Sequence, residues 1–421
     1  MNLKNVTLKL VSFYLIFIMV LGFNYSFAED ISSDDETLSI ITETLATFSN
    51  SNSLNLNSRS CVVIDRLSKS ILYGKNEDAK VKMASTTKVM TATVIIENCD
   101  LSQTVEVSKK AAGTGGSRLG LKTGDKITIN DLLYGLMLCS GNDSAVALAE
   151  AAGGSIDGFS EMMNNKAKEL GLENSHFESP HGLDSDGHYT TAYELALLTD
   201  YALKNPTFSK IVGTKNYTVT INGYPKTLTN TNELLGTLNG VYGVKTGFTN
   251  GANRCLVTAC KRGDMDIICV VLGCDTKNFR TTDSIKLIEY AFKNFEYINI
   301  EEIINKNLGE WKVKNPEYFE ISKSKSSNLE IIHSPLEVPV LPILKTSTSS
   351  VNVAIQVSKS FEAPILPNTV IGGIVVSSNN GFLAYSNILT NNTISKKKPL
   401  DYFKEFFKNY FVFLKTFLGQ R

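Results

Sequence analysis

One short motif places a potential nucleophile beside a potential base. Ser85 and Lys88 stand three residues apart in Ser85-Thr86-Thr87-Lys88, and positions i and i+3 share one face of a helix. A serine at a helix N-terminus gains from the helix dipole as negative charge develops. Lysine can act as a base only if burial or a second cation lowers its pKa. The motif alone is common, and an N-capping serine beside a solvated lysine is the ordinary alternative.

A second motif, Ser140-Gly141-Asn142, lies between two predicted helices. A hydroxyl here can relay a proton, and the carboxamide two residues later can bind a peptide bond. The alternative is a simple turn, since asparagine tolerates turn conformations. By itself this motif therefore carries almost no weight.

A third motif, Lys245-Thr246-Gly247, lies on a predicted edge strand. It supplies a second cation, a hydroxyl for a substrate carboxylate, and a glycine that lets a substrate approach the backbone. A second Lys-Thr-Gly occurs at 122–124, but it precedes Ser140 and is followed by a new strand. We interpret residues 122–124 as a turn with no catalytic role.

The ordered set of three motifs resembles the penicillin-binding protein and serine β-lactamase superfamily. Four further stretches, 116–125, 131–137, 180–184 and 245–249, are similar to the low-molecular-mass D-alanyl-D-alanine carboxypeptidases. The resemblance is strong over 58–295 and looser over 300–390.

The resemblance implies roles for the motif residues in peptide-bond cleavage. Ser85 would attack the carbonyl of the penultimate D-alanine, Lys88 would take its proton, and Ser140 would relay a proton to the leaving D-alanine. The substrate would be a peptidoglycan pentapeptide, and β-lactams would acylate the same serine. Neither a metal nor a cofactor is implied. The residues implied in substrate binding are Asn142, Lys245, Thr246, Arg280 and the backbone N–H of Phe248, which forms an oxyanion hole with that of Ser85.

The apolar pattern predicts the elements that must position these residues. Paired strands are expected over 61–65 with 71–74 and over 254–259 with 265–272. Helices are expected near 89–96, over 132–137 with Asn130 as N-cap, over 143–152, and over 285–295. The fold class expected is α/β (α+β). By resemblance it is an antiparallel sheet flanked by helices, with an all-α lobe inserted between Ser-x-x-Lys and Lys-Thr-Gly.

Residues 1–28 have the pattern of a signal peptide. Lys4 and Lys9 precede the apolar run Leu10 to Phe23, and Ser26-Phe27-Ala28 fits a cleavage site. An uncleaved anchor is the alternative. The predicted domains that follow are a polar linker over 29–57, the catalytic domain over 58–295 and a small all-β domain over 300–390.

Residues 396–421 predict an amphipathic helix with an aromatic face. The segment holds seven basic residues against two acidic ones, which favours a helix lying on an anionic membrane. A helix packed on the body of the protein is the alternative. With the signal peptide, this predicts an exported protein held at the outer face of the cytoplasmic membrane.

The composition excludes several other classes of function. Lys+Arg and Asp+Glu are both 42, so no basic excess exists to bind nucleic acid. The seven cysteines form no CxxC pair and the four histidines no HExxH, so the sequence carries no signal of a metal enzyme. Three alternatives stay open: a transpeptidase or endopeptidase of the same superfamily, a β-lactamase, and a non-catalytic wall-binding protein.

Overall fold

The computed structural model describes residues 39–44 and 54–418. The predicted signal peptide lies outside these residues, as does most of the predicted linker. Within the linker, residues 39–44 are helical. The chain forms two compact units, the first ending at Lys293 and the second beginning at Asn294.

Besides the helical residues 39–44, the first unit contains nine strands and eight α-helices among the described residues. The strands are β1 (Ser60–Asp65), β2 (Ile71–Lys75), β3 (Thr104–Glu106), β4 (Lys126–Thr128), β5 (Asn216–Ile221), β6 (Tyr224–Thr229), β7 (Val241–Thr249), β8 (Asn253–Arg262) and β9 (Met265–Cys274). The helices are α1 (Lys88–Asn98), α2 (Lys109–Ala112), α3 (Ile129–Met137), α4 (Asn142–Gly153), α5 (Ile156–Glu169), α6 (Ala192–Leu203), α7 (Pro206–Val212) and α8 (Lys277–Asn294).

A five-stranded antiparallel sheet forms the base of this unit, in the order β2-β1-β9-β8-β7. The inner strands β1 and β9 are almost continuously apolar and buried, because helices such as α6 cover the sheet. Both predicted strand pairs are confirmed. The strand β7, which carries Lys-Thr-Gly, lies at the edge, as its motif predicted.

The segment between Ser-x-x-Lys and Lys-Thr-Gly is mainly helical but not all-α, because it also holds two small two-stranded sheets, β3–β4 and β5–β6. The strand expected after residues 122–124 is β4, whereas β3, β5 and β6 were not predicted. Helix α1 runs through its centre with its first eight residues buried. The predicted N-cap of α3 was wrong: the Thr128 side chain accepts the Asp131 N–H, and Asn130 lies inside the helix. Residues 122–124 form a turn, as expected.

The second unit contains eight strands and two α-helices among the described residues. The elements are β10 (Phe295–Asn299), α9 (Ile300–Lys314), β11 (Glu320–Ser322), β12 (Ile331–His333), β13 (Val340–Leu344), β14 (Asn352–Val357), β15 (Ser360–Glu362), β16 (Val370–Ser378), β17 (Gly381–Thr390) and α10 (Pro399–Leu418). Its main sheet has the order β12-β17-β16-β14. The domain predicted over 300–390 is thus β-rich, but it begins with a helix, α9, which the sequence analysis missed.

The C-terminal helix α10 leaves its large apolar side chains exposed. Leu400, Phe403, Phe406, Tyr410 and Phe411 are each about half exposed or more. Among the described residues, none of the helices is both long enough and apolar enough to cross a membrane.

Candidate active site

Ser85 lies in a single 3-10 turn, Ala84–Thr87, that leads directly into α1. The turn is held by its own side chains, since the Thr86 hydroxyl donates to Met83 O at 2.6 Å and the Thr87 hydroxyl donates to Ala84 O at 2.8 Å. Ala84 has a φ of 49°, a region that costs a non-glycine residue free energy. The turn thus presents Ser85 at the start of the helix.

Lys88 is fully buried and sits at the centre of a polar cluster. Its Nζ lies 2.8 Å from Ser85 Oγ, 2.7 Å from Asn142 Oδ1 and 3.4 Å from Ser140 Oγ. It also lies 3.1 Å from the backbone oxygen of His181. Burial, followed by the positive charge of Lys245, holds the pKa of the Lys88 ammonium well below its usual range. A neutral amine beside the Ser85 hydroxyl can accept its proton.

Ser140 lies on the turn that joins α3 to α4, and Asn142 is the first residue of α4. Ser140 has a φ of 60°, and both side chains are buried. The Asn142 Nδ2 donates to Gly115 O at 2.8 Å, which fixes its Oδ1 toward Lys88. The two motifs predicted from the sequence therefore meet at one amine.

The edge strand β7 forms the opposite side of the site. Lys245 is 1% exposed, and Thr246 Oγ1 lies 2.8 Å from Thr231 Oγ1. A Cβ on Gly247 would lie 3.2 Å from Ser85 N, a tight contact, so glycine lets β7 approach Ser85 this closely without displacing it. The Arg254 guanidinium lies 3.8 Å from the centre of the Phe248 ring, which orders the residue after this glycine.

Arg280 is fully buried on α8 and forms an ion pair with Glu233. The Thr281 hydroxyl donates to the same Glu233 oxygen at 2.5 Å. The guanidinium therefore already faces a carboxylate of the protein itself. A role for Arg280 in binding the substrate carboxylate stays a prediction.

Asp143, which the sequence analysis did not single out, anchors the loop beside Ser140 and Asn142. Its carboxylate is fully buried and accepts the backbone N–H groups of Leu119, Gly120 and Leu121 at 2.7–2.9 Å, as well as that of Ser144 at 2.9 Å. Only the tertiary fold brings the 119–121 backbone to this carboxylate. The sequence therefore predicted the Ser140-Gly141-Asn142 motif but not the contacts of Asp143 that hold it.

Asp143→Asn will loosen the site while leaving every motif residue in place. The carboxamide has one acceptor oxygen and an NH2 group that faces backbone donors, so at least one buried N–H loses its partner. We expect a loss of about 2–4 kcal/mol in the free energy of unfolding and slower acylation by penicillin. Urea unfolding and stopped-flow acylation measure these effects. The exposed Asp186→Asn is the control, and equal behaviour of the two variants would contradict the anchoring role.

His188 supports the turn that carries Ser85. Its Nδ1 accepts the Glu178 backbone N–H at 3.0 Å, so its Nε2 carries the proton and donates to Thr87 Oγ1 at 2.7 Å. Burial lowers the pKa of His188 to about 4. The ring is thus a neutral bridge between the 178–188 segment and the Ala84–Thr87 turn.

The neutral state of His188 makes the stability of the protein depend on pH. Between pH 6.5 and about 4 the unfolded chain binds a proton at this ring and the folded chain does not, so stability is lost as the pH falls through this window. We expect His188 to contribute a loss of about 2 kcal/mol between pH 7.5 and pH 5. Urea unfolding at both pH values measures it. His188→Gln should show a smaller loss than the wild type, and an equal loss would contradict the assignment.

Comparison with known proteins gives one consistent result. Residues 46–276 match the family model Peptidase S11, described as D-alanyl-D-alanine carboxypeptidase. The D-alanyl-D-alanine carboxypeptidase DacF of Bacillus subtilis is 34% identical over 352 residues, covering 82% of this chain and 88% of the relative.

Two solved structures extend the similarity to the fold. The crystal structure of penicillin binding protein 5 from Haemophilus influenzae matches with a TM-score of 0.66 and 26% identity, over 82% of this chain and all of that one. The crystal structure of the Streptomyces K15 DD-transpeptidase matches with a TM-score of 0.55 and 34% identity, over 58% of this chain and all of that one.

Proposed function

Because the chain belongs to the peptidase S11 family of D-alanyl-D-alanine carboxypeptidases, we propose that it releases the terminal D-alanine of peptidoglycan stem peptides through an acyl-enzyme on Ser85. The observation that carries this proposal is the 2.8 Å separation between Ser85 Oγ and the amine of a fully buried lysine. Both Ser140 and Asn142 converge on the same amine.

The acylation step uses Lys88 as the general base. Ser85 Oγ attacks the carbonyl carbon of the penultimate D-alanine while its proton moves to Lys88 Nζ. The carbonyl oxygen becomes an oxyanion, which the backbone N–H groups of Ser85 and Phe248 stabilise. The close approach of Gly247 to Ser85 N supports this pairing of donors across the cleft.

The leaving group and water complete the reaction. The C–N bond breaks, and the amine of the departing D-alanine receives a proton that Ser140 relays from Lys88. Water then attacks the ester and releases Ser85. In this scheme Asn142 holds the substrate amide. Lys245 and Thr246 face the terminal carboxylate of the substrate. Arg280 is predicted to bind the same carboxylate.

Release of free D-alanine from diacetyl-L-lysyl-D-alanyl-D-alanine tests the activity. The wild-type protein should release it, and Ser85→Ala should not. A failure of release while penicillin still labels Ser85 would instead favour transfer to an amine acceptor. The similarity to a structure described as a DD-transpeptidase makes this the second candidate.

We further propose that the protein is exported and held on an anionic membrane surface by α10. The exposed aromatic side chains of the helix and the basic excess of residues 396–421 support this. In a sedimentation assay, a larger fraction of the protein should pellet with phosphatidylglycerol vesicles than with phosphatidylcholine vesicles. Phe406→Glu should reduce this capture, and unchanged capture would contradict the role of α10.

A further inference from the structure

The second unit contains a cavity of about 810 Å³ that the catalytic scheme does not use. It lies between the last turns of α9, the loop 327–330 and the strand β12, with Asn391 at its side. Its size is within the range of small-molecule binding sites. One wall is aromatic and the other carries polar groups, and this difference indicates which class of ligand the cavity can bind.

One wall is aromatic. Trp311 lines the cavity and is half-buried. The ring of Tyr318 meets its ring edge-on at 4.9 Å, and that of Phe319, which also lines the cavity, lies 6.2 Å away. These contacts hold the indole in place before any ligand arrives. A rigid aromatic surface binds an apolar face at a low cost in conformational entropy.

The other wall combines apolar Leu329, Ile331 and Ile332 with the exposed amides and carboxylate of Asn328, Asn391 and Glu330, which hydrogen bonds hold. The Asn391 backbone N–H donates to Glu330 O at 2.8 Å, and its Nδ2 lies 3.4 Å from Glu330 Oε2. Glu330 N donates to Asn392 Oδ1 at 3.0 Å, and Asn392 Nδ2 donates to Asn328 O at 2.8 Å. Amide and carboxylate groups fixed in this way can pair with hydroxyl or acetamido groups.

The charges around the cavity favour a neutral ligand. The C-terminal end of α9 contributes Trp311 and Asn315, and the carbonyl end of a helix repels anions. Glu317 and Glu330 also line the cavity, against Lys312. Phosphorylated ligands and polyanions therefore fit poorly.

We propose that this cavity binds a short stretch of neutral, N-acetylated glycan. A pyranose ring has an apolar face of C–H groups, which suits Trp311, and a rim of hydroxyl and acetamido groups, which suits Asn391 and Glu330. The volume accommodates roughly two or three linked sugar rings. The choice of an N-acetylated sugar rests on the proposed function, since stem peptides are attached to such a glycan. Binding it would raise the local concentration of stem peptides.

The only tryptophan of the chain makes the test direct. Because Trp311 is the sole indole, tetra-N-acetylchitotetraose should change the tryptophan fluorescence of the full chain in a saturable way. Maltotetraose, which lacks acetamido groups, should bind at least about tenfold more weakly. Absence of a saturable change with the acetylated sugar would overturn the proposal, and a saturable change with a stem pentapeptide alone would assign the cavity to peptide instead.

Variants separate this cavity from the active site. Asn391→Ala and Glu330→Gln both retain Trp311 and should weaken chitotetraose binding at least about tenfold, whereas the exposed control Asn379→Ala should not. Thermal unfolding of each variant checks its fold. Binding by Ser85→Ala should equal that of the wild type, and D-alanine release from the soluble tripeptide should be unchanged in Asn391→Ala. Equal chitotetraose affinity in Asn391→Ala, Glu330→Gln and the wild type would overturn the site, whether or not D-alanine is released.

Discussion

Lys88→Met will lower the rate of Ser85 acylation by penicillin by about 10²–10⁴-fold, which is the usual contribution of a general base. Methionine nearly matches the length of the lysine side chain and carries no charge, so the fully buried position can hold it. The loss should therefore appear in the chemical step rather than in folding. Stopped-flow acylation at pH 7.5 and thermal unfolding together measure the two effects.

The matched control for this prediction is Lys82→Met. Lys82 lies six residues from Lys88 and its Nζ pairs with the fully exposed carboxylate of Asp186 at 3.3 Å. Exposed ion pairs contribute little, and we expect this variant to acylate at the wild-type rate. Full acylation activity in Lys88→Met would show that another group takes the proton of Ser85.

Lys245→Gln will move the acidic limb of the acylation profile to higher pH. Burial and the charge of Lys245 together keep the pKa of Lys88 low, so removing that charge raises the pKa and leaves more Lys88 protonated near neutral pH. We expect a shift of roughly 1–3 pH units, the range that a neighbouring charge produces. Acylation should be slow at pH 7 and recover as the pH rises. The measurement is the second-order acylation rate constant between pH 5 and pH 10.

The chain offers its own control in the second Lys-Thr-Gly. Lys122 is exposed on the 122–124 turn, and Lys122→Gln should leave the acylation profile unchanged. A rate that falls equally at every pH in Lys245→Gln would mean that Lys245 only binds the substrate. That outcome would show that the charge of Lys245 does not lower the pKa of Lys88.

Local pattern was enough to predict the parts of the site that lie on regular elements. Ser85 lies one turn before Lys88, in the 3-10 turn that leads directly into α1, and Lys-Thr-Gly belongs to a strand with glycine where close approach is needed. Both features depend on spacing within one short, continuous stretch of chain. The meeting of Lys88 with Asn142 came from the resemblance rather than from spacing, because these residues are 54 positions apart.

The supporting residues could not be predicted because their partners are distant in sequence. Asp143 meets a loop more than twenty residues earlier, and His188 meets Thr87 across 101 residues.

The helix α9 was missed for another reason. Ile300, Ile304 and Leu308 have helical spacing and are buried. The short β-like runs that follow, separated by Pro, Asn and Ser, instead predicted an all-β module for the whole of 300–390. The wrong N-cap of α3 was an error of two residues, which is the usual scale at helix ends.

The most direct test of the account is the intact mass of the wild-type protein after brief exposure to penicillin, followed by peptide mapping of the adduct. We predict one covalent adduct per chain with the full mass of the antibiotic, located on Ser85 and absent from Ser85→Ala. An adduct on any other residue, or an adduct that persists in Ser85→Ala, would contradict the assignment of Ser85 as the nucleophile.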